Sequence, residues 1–418
     1  MLIKLARLSL WNRRVTASLT LVSLIISVAL VVGIDHLRVQ AKQSFSQTLS
    51  GTDLIVGARS GQLNLLLYSV FRMGNATNNM TWQSYQELSR HSAVAWTIPL
   101  SLGDSHRGYR VLGTTEAYFE HYRYGQQRSL TFAQGHFFTG VYETVLGAEV
   151  ARKLDYQLGD ELVLAHGSGA VNLHHHDDKP FRVVGILQAT GTPVDRTVHI
   201  SLAGMEAIHL DWQQGVPLPG RGVSAEAALQ QDLTPKSITA VLVGLKSRAA
   251  TFTVQRQVNQ YPQEPLLAIL PGIALAELWQ MLSLVENVLY VISLMVLLAV
   301  LIGMTTSLLA SMNERQREMA ILRAVGAGAG YLFLLLELEV LLLIITAVLG
   351  GVALLAGGLW IAQPWLAAHL GLFIDINPLQ SQSIYLLGGI VVVAAVMGLI
   401  PAVAAYRRAL SEGLAQRL

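Results

Sequence analysis

The sequence predicts a membrane α-helical protein with four transmembrane helices and one large α+β domain inserted between helices 1 and 2. Hydrophobic residues make up 52% of the 418 residues and charged residues only 13%, a balance that is unusual for a soluble protein. Four apolar stretches reach the length of about 20 residues that a helix needs to cross a bilayer. The first stretch is too long for a signal peptide, so we expect it to be retained.

The four stretches divide the chain into nine segments. Transmembrane helices are predicted at residues 15–35, 282–311, 331–361 and 384–406. The other segments are an interfacial helix (1–14), a core domain (36–281), a charged segment (312–330), a loop (362–383) and a tail (407–418). The basic residues of segment 1–14 suit either a helix at the headgroups or an ordinary positive flank of the first span.

The positions of the basic residues predict the topology. Lys and Arg flank the first span, the charged segment and the tail, whereas the loop 362–383 has neither. The positive-inside rule therefore places both termini and the charged segment in the cytoplasm, and the core domain outside. The net charge of +2 does not indicate nucleic-acid binding.

The core domain mixes short strand patterns with short helix patterns, which predicts an α+β domain of two lobes. The distal lobe would span about residues 110–230, and the membrane-proximal lobe would combine the two ends of the domain. Strands are predicted at Asp53–Val56, Tyr109–Gly113, Glu161–Ala165, Phe181–Leu187, Thr197–Ser201 and Ile238–Leu245. Helices are predicted at Trp82–Ser89, Ala148–Leu154, Leu202–His209 and Arg248–Tyr261. The chain has no cysteine, so this domain folds without disulfides.

Three features of the predicted spans bear on mechanism. A helical pattern beginning at Gly272 runs into the second span and predicts one rod as far as Glu318. Glu337 and Glu339 lie inside the third span on roughly opposite sides of the helix, so at least one of them needs a partner. Small residues recur at close-packing spacing in spans three and four. These rows are Ala347 with Gly351, Ala353 with Gly357, and Ala394 with Gly398 and Ala402.

The charged segment reads NERQREMAILRAVGAG from residue 313 to residue 328 and predicts a short cytoplasmic helix. It is either a simple tether between two spans or a surface that another protein grips. Its charged residues are Glu314, Arg315, Arg317, Glu318 and Arg323, and its apolar residues are Met319, Ile321, Leu322 and Val325.

The chain carries no motif for catalysis. It lacks the GxxxxGK[ST] phosphate loop, a G-x-S-x-G elbow and HExxH, so an enzyme is not predicted. A polar cluster has side chains of the types that bind zinc, copper or nickel, and it is either a metal site or a solvated loop at a hairpin tip. The cluster consists of His166, His174, His175, His176, Asp177 and Asp178.

Motifs along the whole chain resemble the MacB–FtsX–LolE class of ABC transporter membrane subunits. The charged segment is similar to the coupling segment of that class, which includes a Gly at the position of Gly326. The run from Leu158 to Asp160, the run from Phe181 to Ile186 and the run from Thr192 to Val198 resemble its periplasmic core. Glu337 or Glu339 ahead of a Gly-Gly pair resembles the start of its third span.

The resemblance implies a permease subunit without its own catalytic activity, located in a bacterial inner membrane with the core domain in the periplasm. The partners it implies are a cytoplasmic ABC ATPase subunit, which binds ATP and Mg²⁺, a second membrane subunit in a homodimer or heterodimer, and a periplasmic partner protein. ATP-driven motion of the ATPase would be relayed to the periplasmic domain to move or release a substrate, with zinc as one candidate. The alternative is an FtsX-like signalling subunit that controls a periplasmic partner such as a cell-wall hydrolase, without transport.

Overall fold

The structure is a computed structural model that describes residues 2–166, 178–210, 212–213, 216–217, 223–314, 316–370, 375–379 and 381–415. The chain forms two compact units. The helical unit consists of residues 1–41, 282–365 and 374–418, and the α/β unit consists of residues 42–281 and 366–373. Each unit has its own hydrophobic core.

The described residues contain helices in both units. They are α1 (Leu2–Asn12), α2 (Arg14–Gln47), α3 (Gln62–Ser69), α4 (Trp82–Ser89), α5 (Ala117–His121), α6 (Ala148–Leu154), α7 (Leu202–Ala207), α8 (Ala225–Ala228), α9 (Thr251–Asn259), α10 (Pro271–Glu314), α11 (Gln316–Ala324), α12 (Ala329–Leu370) and α13 (Ser381–Ala415). Single 3₁₀ turns occupy Pro193–Arg196 and Arg248–Ala250.

The strands all belong to the α/β unit. They are β1 (Leu54–Ala58), β2 (Met80–Thr81), β3 (Val94–His106), β4 (Tyr109–Thr114), β5 (Arg123–Tyr124), β6 (Arg128–Ser129), β7 (Phe132–Gly135), β8 (Glu143–Leu146), β9 (Glu161–Leu162), β10 (Ala165–His166), β11 (Phe181–Leu187), β12 (Thr197–Ser201), β13 (Trp212–Gln213), β14 (Val216–Pro217), β15 (Ser237–Ile238), β16 (Ala240–Leu245) and β17 (Leu266–Ile269).

One mixed sheet organises the α/β unit. Its strand order is β17-β1-β16-β3-β4-β12-β8-β11-β7, with β10 beside β3 and β9 beside β11. The long strand β3 pairs with β16 through its first half and with β4 through its second half. Strands from the two ends of the domain thereby join strands from its middle in a single sheet.

Several predicted elements of this unit are confirmed with their predicted bounds. They are Trp82–Ser89, Ala148–Leu154, Phe181–Leu187 and Thr197–Ser201. The sequence prediction missed β3, because Pro99, Gly103 and Asp104 are residues that usually interrupt a strand. A bulge between Leu102 and Ser105 accommodates this irregular stretch and keeps the pairing with β4.

Four helices of the described residues are long and apolar enough to cross a membrane. These segments are Arg14–Gln40, Pro271–Met312, Ala329–Gln363 and Ser383–Arg407. Their buried faces share one apolar cluster, to which α2, α10, α12 and α13 each contribute. The outward faces of these helices remain apolar, as expected for helices surrounded by lipid.

Small residues set the close approach of these helices. A Cβ atom on Gly351 would lie 2.8 Å from Val28 of α2, closer than real side chains approach. Ala394 and Ala402 of α13 are fully buried, as the predicted small-residue row requires. A Cβ atom on Gly357, by contrast, would meet nothing within 4 Å, so only part of the predicted pattern serves packing.

The helix α10 is continuous over 44 residues, which corresponds to roughly 66 Å. Its first residues, up to Met281, belong to the α/β unit, and the rest belong to the helical unit. The polar pair Glu286–Asn287 does not break the helix, because the carboxylate of Glu286 lies 3.1 Å from Nε of Arg38 on α2. The rod predicted from Gly272 is therefore present as far as Glu314.

Candidate coupling site

The charged segment forms α11, a helix of 9 residues between the long helices α10 and α12. The segment is short because the apolar helix α10 ends, and the apolar helix α12 begins, close to it on either side. Of the predicted coupling residues, Arg315 lies outside the described residues, and only the backbone is described for Glu314 and Arg317. The site is therefore built from Glu318, Arg323, Gly326 and their neighbours.

Gly326 ends α11 in a left-handed backbone conformation, with a φ of 99°. The N–H of Gly326 donates to the carbonyl of Arg323 at 2.9 Å, and the N–H of Ala327 donates to the carbonyl of Leu322 at 2.9 Å. This pair of hydrogen bonds is the Schellman motif, in which glycine avoids the steric cost that other residues meet at positive φ. Gly326 thus has a structural role in ending α11 sharply before α12.

The apolar side chains of α11 and of the residue that follows it divide between two sides. Ile321 and Val325, one helical turn apart, are 63% and 84% exposed. Met319 lies on another side of the helix and packs against a cluster at the end of the helical bundle. This cluster consists of Met312, Leu336, Ala402 and Ala405. One side of α11 is therefore anchored, and the other presents apolar side chains outward.

The charged side of α11 contacts the N-terminal helix. The carboxylate of Glu318 is exposed and accepts a hydrogen bond from the side-chain amide of Asn12 at 3.0 Å. Asn12 is the last residue of α1, and the chain turns at Arg13 before α2 begins. α11 and the N-terminal helix are thus linked at the corner between α1 and α2.

Arg13, at this corner, binds two transmembrane helices. Its guanidinium donates to the Ser311 hydroxyl of α10 at 2.5 Å and to the Glu339 carboxylate of α12 at 2.5 Å. Glu339 is fully buried and the Arg13 side chain is 15% exposed. A buried charge of this kind is tolerated only when it is paired, so this ion pair explains an acidic residue inside the third span.

Glu337, two residues earlier, has a different environment. Its carboxylate lies against α13, where a Cβ atom on Gly398 would be 3.0 Å from Oε2 of Glu337. The expectation that at least one of the two glutamates has a partner is confirmed by Glu339. Sequence reasoning did not identify Arg13 as that partner, although a basic residue just before the first span was the available signal.

The predicted metal cluster is only partly described. Residues 174–177 lie outside the described residues, and for His166 only the backbone is described, in β10, which pairs with β3. Strand β9 pairs with β11 as a hairpin would require. The carboxylate of Asp178 accepts a hydrogen bond from Lys179 at 2.8 Å. Within the described ranges, no three His, Cys, Asp or Glu residues are placed to hold a metal ion.

The fold and the site define a multi-span membrane protein with an α/β domain and a short anchored helix between two spans. Residues 17–261 match the family model of the MacB-like periplasmic core domain. Residues 290–412 match that of the FtsX-like permease C-terminal region. No curated protein matches the chain by sequence.

Two solved structures have similar domains. The periplasmic region of MacB from Actinobacillus actinomycetemcomitans is 12% identical with a TM-score of 0.33, covering 54% of this chain and 92% of that chain. The extracellular domain of the noncanonic ABC-type transporter YknZ from Gram-positive bacteria is 13% identical with a TM-score of 0.30, covering 52% and 99%. Both TM-scores are too low to carry an argument by themselves.

The MacB-like family match alone extends over more than half of the chain. The chain therefore belongs to the MacB/FtsX-type family of ABC transporter permeases. Membership in this family, together with the four candidate spans, indicates a multi-pass inner-membrane protein with a periplasmic domain.

Proposed function

We propose that this chain is the non-catalytic membrane subunit of a MacB/LolE-like ABC transporter and relays the motion of a separate ATPase subunit to its periplasmic domain. The observation that carries the proposal is the outward face of α11, where Ile321 and Val325 are exposed beside the carboxylate of Glu318. Exposed apolar side chains next to a charge are typical of a protein-binding surface. The ATPase would bind ATP and Mg²⁺ and dock on this face.

Three contacts support a mechanical role for the docked helix. Met319 packs α11 onto the bundle, Asn12 ties it to α1, and Arg13 ties the α1–α2 corner to α10 and α12. A push on α11 would therefore be transmitted to the bundle and would not simply bend a loop. The continuous helix α10 would carry this motion toward the periplasmic domain.

The assembly we propose has two membrane subunits, as a homodimer or a heterodimer, and one periplasmic partner protein. The α/β domain between α2 and α10 lies in the periplasm, following the positive-inside rule. We propose that the two halves of the sheet that meet on β3 correspond to a membrane-proximal lobe and a distal lobe. The proximal half contains β1, β16 and β17, which come from the two ends of the domain.

The docking surface is tested with Ile321→Asp and Val325→Asp. The chain is purified from native membranes with its ABC ATPase, and the affinity of the two subunits and the ATP hydrolysis rate are measured. Loss of an apolar anchor from the centre of an interface costs more than about 1 kcal/mol, so each variant weakens binding by about fivefold or more. The matched control is Phe252→Asp in α9, because Phe252 is 66% exposed but lies in the α/β unit.

Unchanged ATPase binding in both α11 variants would overturn the docking proposal. A second outcome is that the variants lose ATPase binding while ATP hydrolysis by the unsubstituted complex drives no substrate movement. That result would favour the FtsX-like signalling alternative. In that case the same variants would change the activity of a cell-wall hydrolase in cells. Division defects with normal substrate distribution would be the distinguishing result.

Zinc binding by the His-Asp cluster is a separate proposal, supported by three adjacent imidazoles and a carboxylate at residues 174–177. Asp178 contributes least, because Lys179 already binds its carboxylate. Calorimetric titration of the metal-stripped chain with zinc is the test. Combined replacement of His174, His175, His176 and Asp177 by alanine abolishes binding if the cluster is a site; identical titration curves would exclude it.

A further inference from the structure

A cavity of about 260 Å³ in the α/β unit is lined by two arginines. Arg72 lies just after α3, and Arg110 lies on β4. Asn75, Asn79 and Gly103 contribute to the same wall. None of these residues belongs to the coupling site, and the family comparisons assign them no role.

Arg72 is held in an unusual state. Arg72 is only 9% exposed, and its backbone adopts a left-handed φ of 58°. The guanidinium donates to the carbonyl of Ser69, and Nε has no hydrogen-bond partner in the described part of the chain. Strained backbone and unsatisfied buried donors are retained mainly where they serve a function.

Arg110 adds a second positive charge. It donates to the side-chain oxygen of Asn75 at 3.0 Å and to the carbonyl of Gly74 at 2.8 Å. Burial lowers the pKa of Arg110 below its usual value. Both arginines are therefore held by neutral oxygens, and among the described residues neither forms an ion pair with a carboxylate.

Burial raises the pKa of Tyr118 and Tyr122, whose surroundings include the charges of both Arg72 and Asp195. The Asp195 carboxylate accepts hydrogen bonds from the backbone N–H groups of Thr190 and Gly191 at 2.8 Å. The positive charge of Arg72 also acts on the buried side chain of His199. Burial and then the charge of Arg72 lower the pKa of His199 to about 3.

We propose that the cavity beside Arg72 and Arg110 binds a small oxyanion, such as a carboxylate or phosphate group. The planar fork of a guanidinium matches both groups in geometry and charge. The cavity is smaller than the roughly 300–1,000 Å³ of sites for drug-sized ligands, so it holds an anionic group and not a large molecule. The bound anion supplies the negative charge that the two arginines lack among the described residues.

The full chain in detergent micelles is titrated calorimetrically with inorganic phosphate, with succinate and with dihexanoyl phosphatidic acid. We expect saturable binding of at least one of these probes. Arg110→Gln removes charge-assisted hydrogen bonds and weakens that binding by about ten- to hundredfold. Arg128→Gln, at an exposed position of β6, removes the same charge elsewhere in the unit and leaves binding unchanged.

The three probes separate the source of the anion. If phosphate binds as tightly as the lipid, the ligand is a free anion. If the lipid binds tenfold more tightly than phosphate, the ligand is a lipid headgroup. If only succinate binds, the ligand is a carboxylate. Arg110 is chosen because it is less buried than Arg72, and equal unfolding temperatures of the two variants show that both fold. No saturable binding of any probe, or equal affinities for Arg110→Gln and Arg128→Gln, would overturn the proposal.

Discussion

The ion pair between Arg13 and Glu339 yields the sharpest prediction about the helical unit. Arg13→Met removes the guanidinium but keeps much of the apolar stem, so the packing of the α1–α2 corner is largely preserved. The change leaves the Glu339 carboxylate fully buried without its charged partner. It also removes the hydrogen bond to Ser311 on α10.

The expected magnitude follows from burial. Removing one partner of a buried ion pair costs about 3–5 kcal/mol, and the full exclusion of Glu339 from solvent places Arg13→Met in this range. Glu339→Gln costs less, about 1–3 kcal/mol, because Arg13 remains partly exposed and keeps Ser311. The double variant loses both charges together, so it is at least about 2 kcal/mol more stable than the sum of the single effects predicts.

The assay is the free energy of unfolding of the full chain in mixed micelles of detergent and denaturant. Arg14→Met is the matched control, because Arg14 is exposed at the adjacent position and its loss changes stability by less than about 0.5 kcal/mol. The reasoning is refuted if Arg13→Met is no less stable than this control. It is equally refuted if the single effects add in the double variant.

Three further predictions concern single positions. Gly326→Ala destabilises the end of α11 by about 1–2 kcal/mol, because alanine is strained at positive φ. Amide hydrogen exchange in α11 therefore becomes faster. The control Gly330→Ala, at an open position, leaves the exchange rate unchanged. Gly351→Ala lowers the unfolding temperature by overpacking against α2, whereas Gly357→Ala raises it through helix propensity. Equal changes in unfolding temperature for the two variants would contradict the close contact of Gly351 with α2. His199, with a pKa of about 3, stays neutral when folded but binds a proton below about pH 6.5 when unfolded. Stability therefore falls by about 1–2 kcal/mol between pH 6.5 and 5, and His199→Gln flattens this slope in a pH series of unfolding measurements.

Helices and strands of this protein could be predicted from the sequence where the hydrophobic pattern repeats within a single element. Phe181–Leu187 and Trp82–Ser89 have their predicted bounds because hydrophobic periodicity and turn residues are local signals. The strand β3 was not accessible, because its proline and glycine signals favour a break and only pairing with β16 and β4 keeps it extended. The apolar residues of α11 were recognised, but not which of them face the bundle.

The sequence by itself determined the four spans, the charged segment between two of them and the resemblance to a permease family. Hydropathy and charge act along the chain and need no knowledge of neighbours in space. Only the tertiary structure decided which groups meet. Arg13 and Glu339 are 326 residues apart, and Arg72 and Arg110 come from different elements to line one cavity. The free energy of a buried charge depends on the atoms packed around it, and packing brings together residues that no local pattern relates.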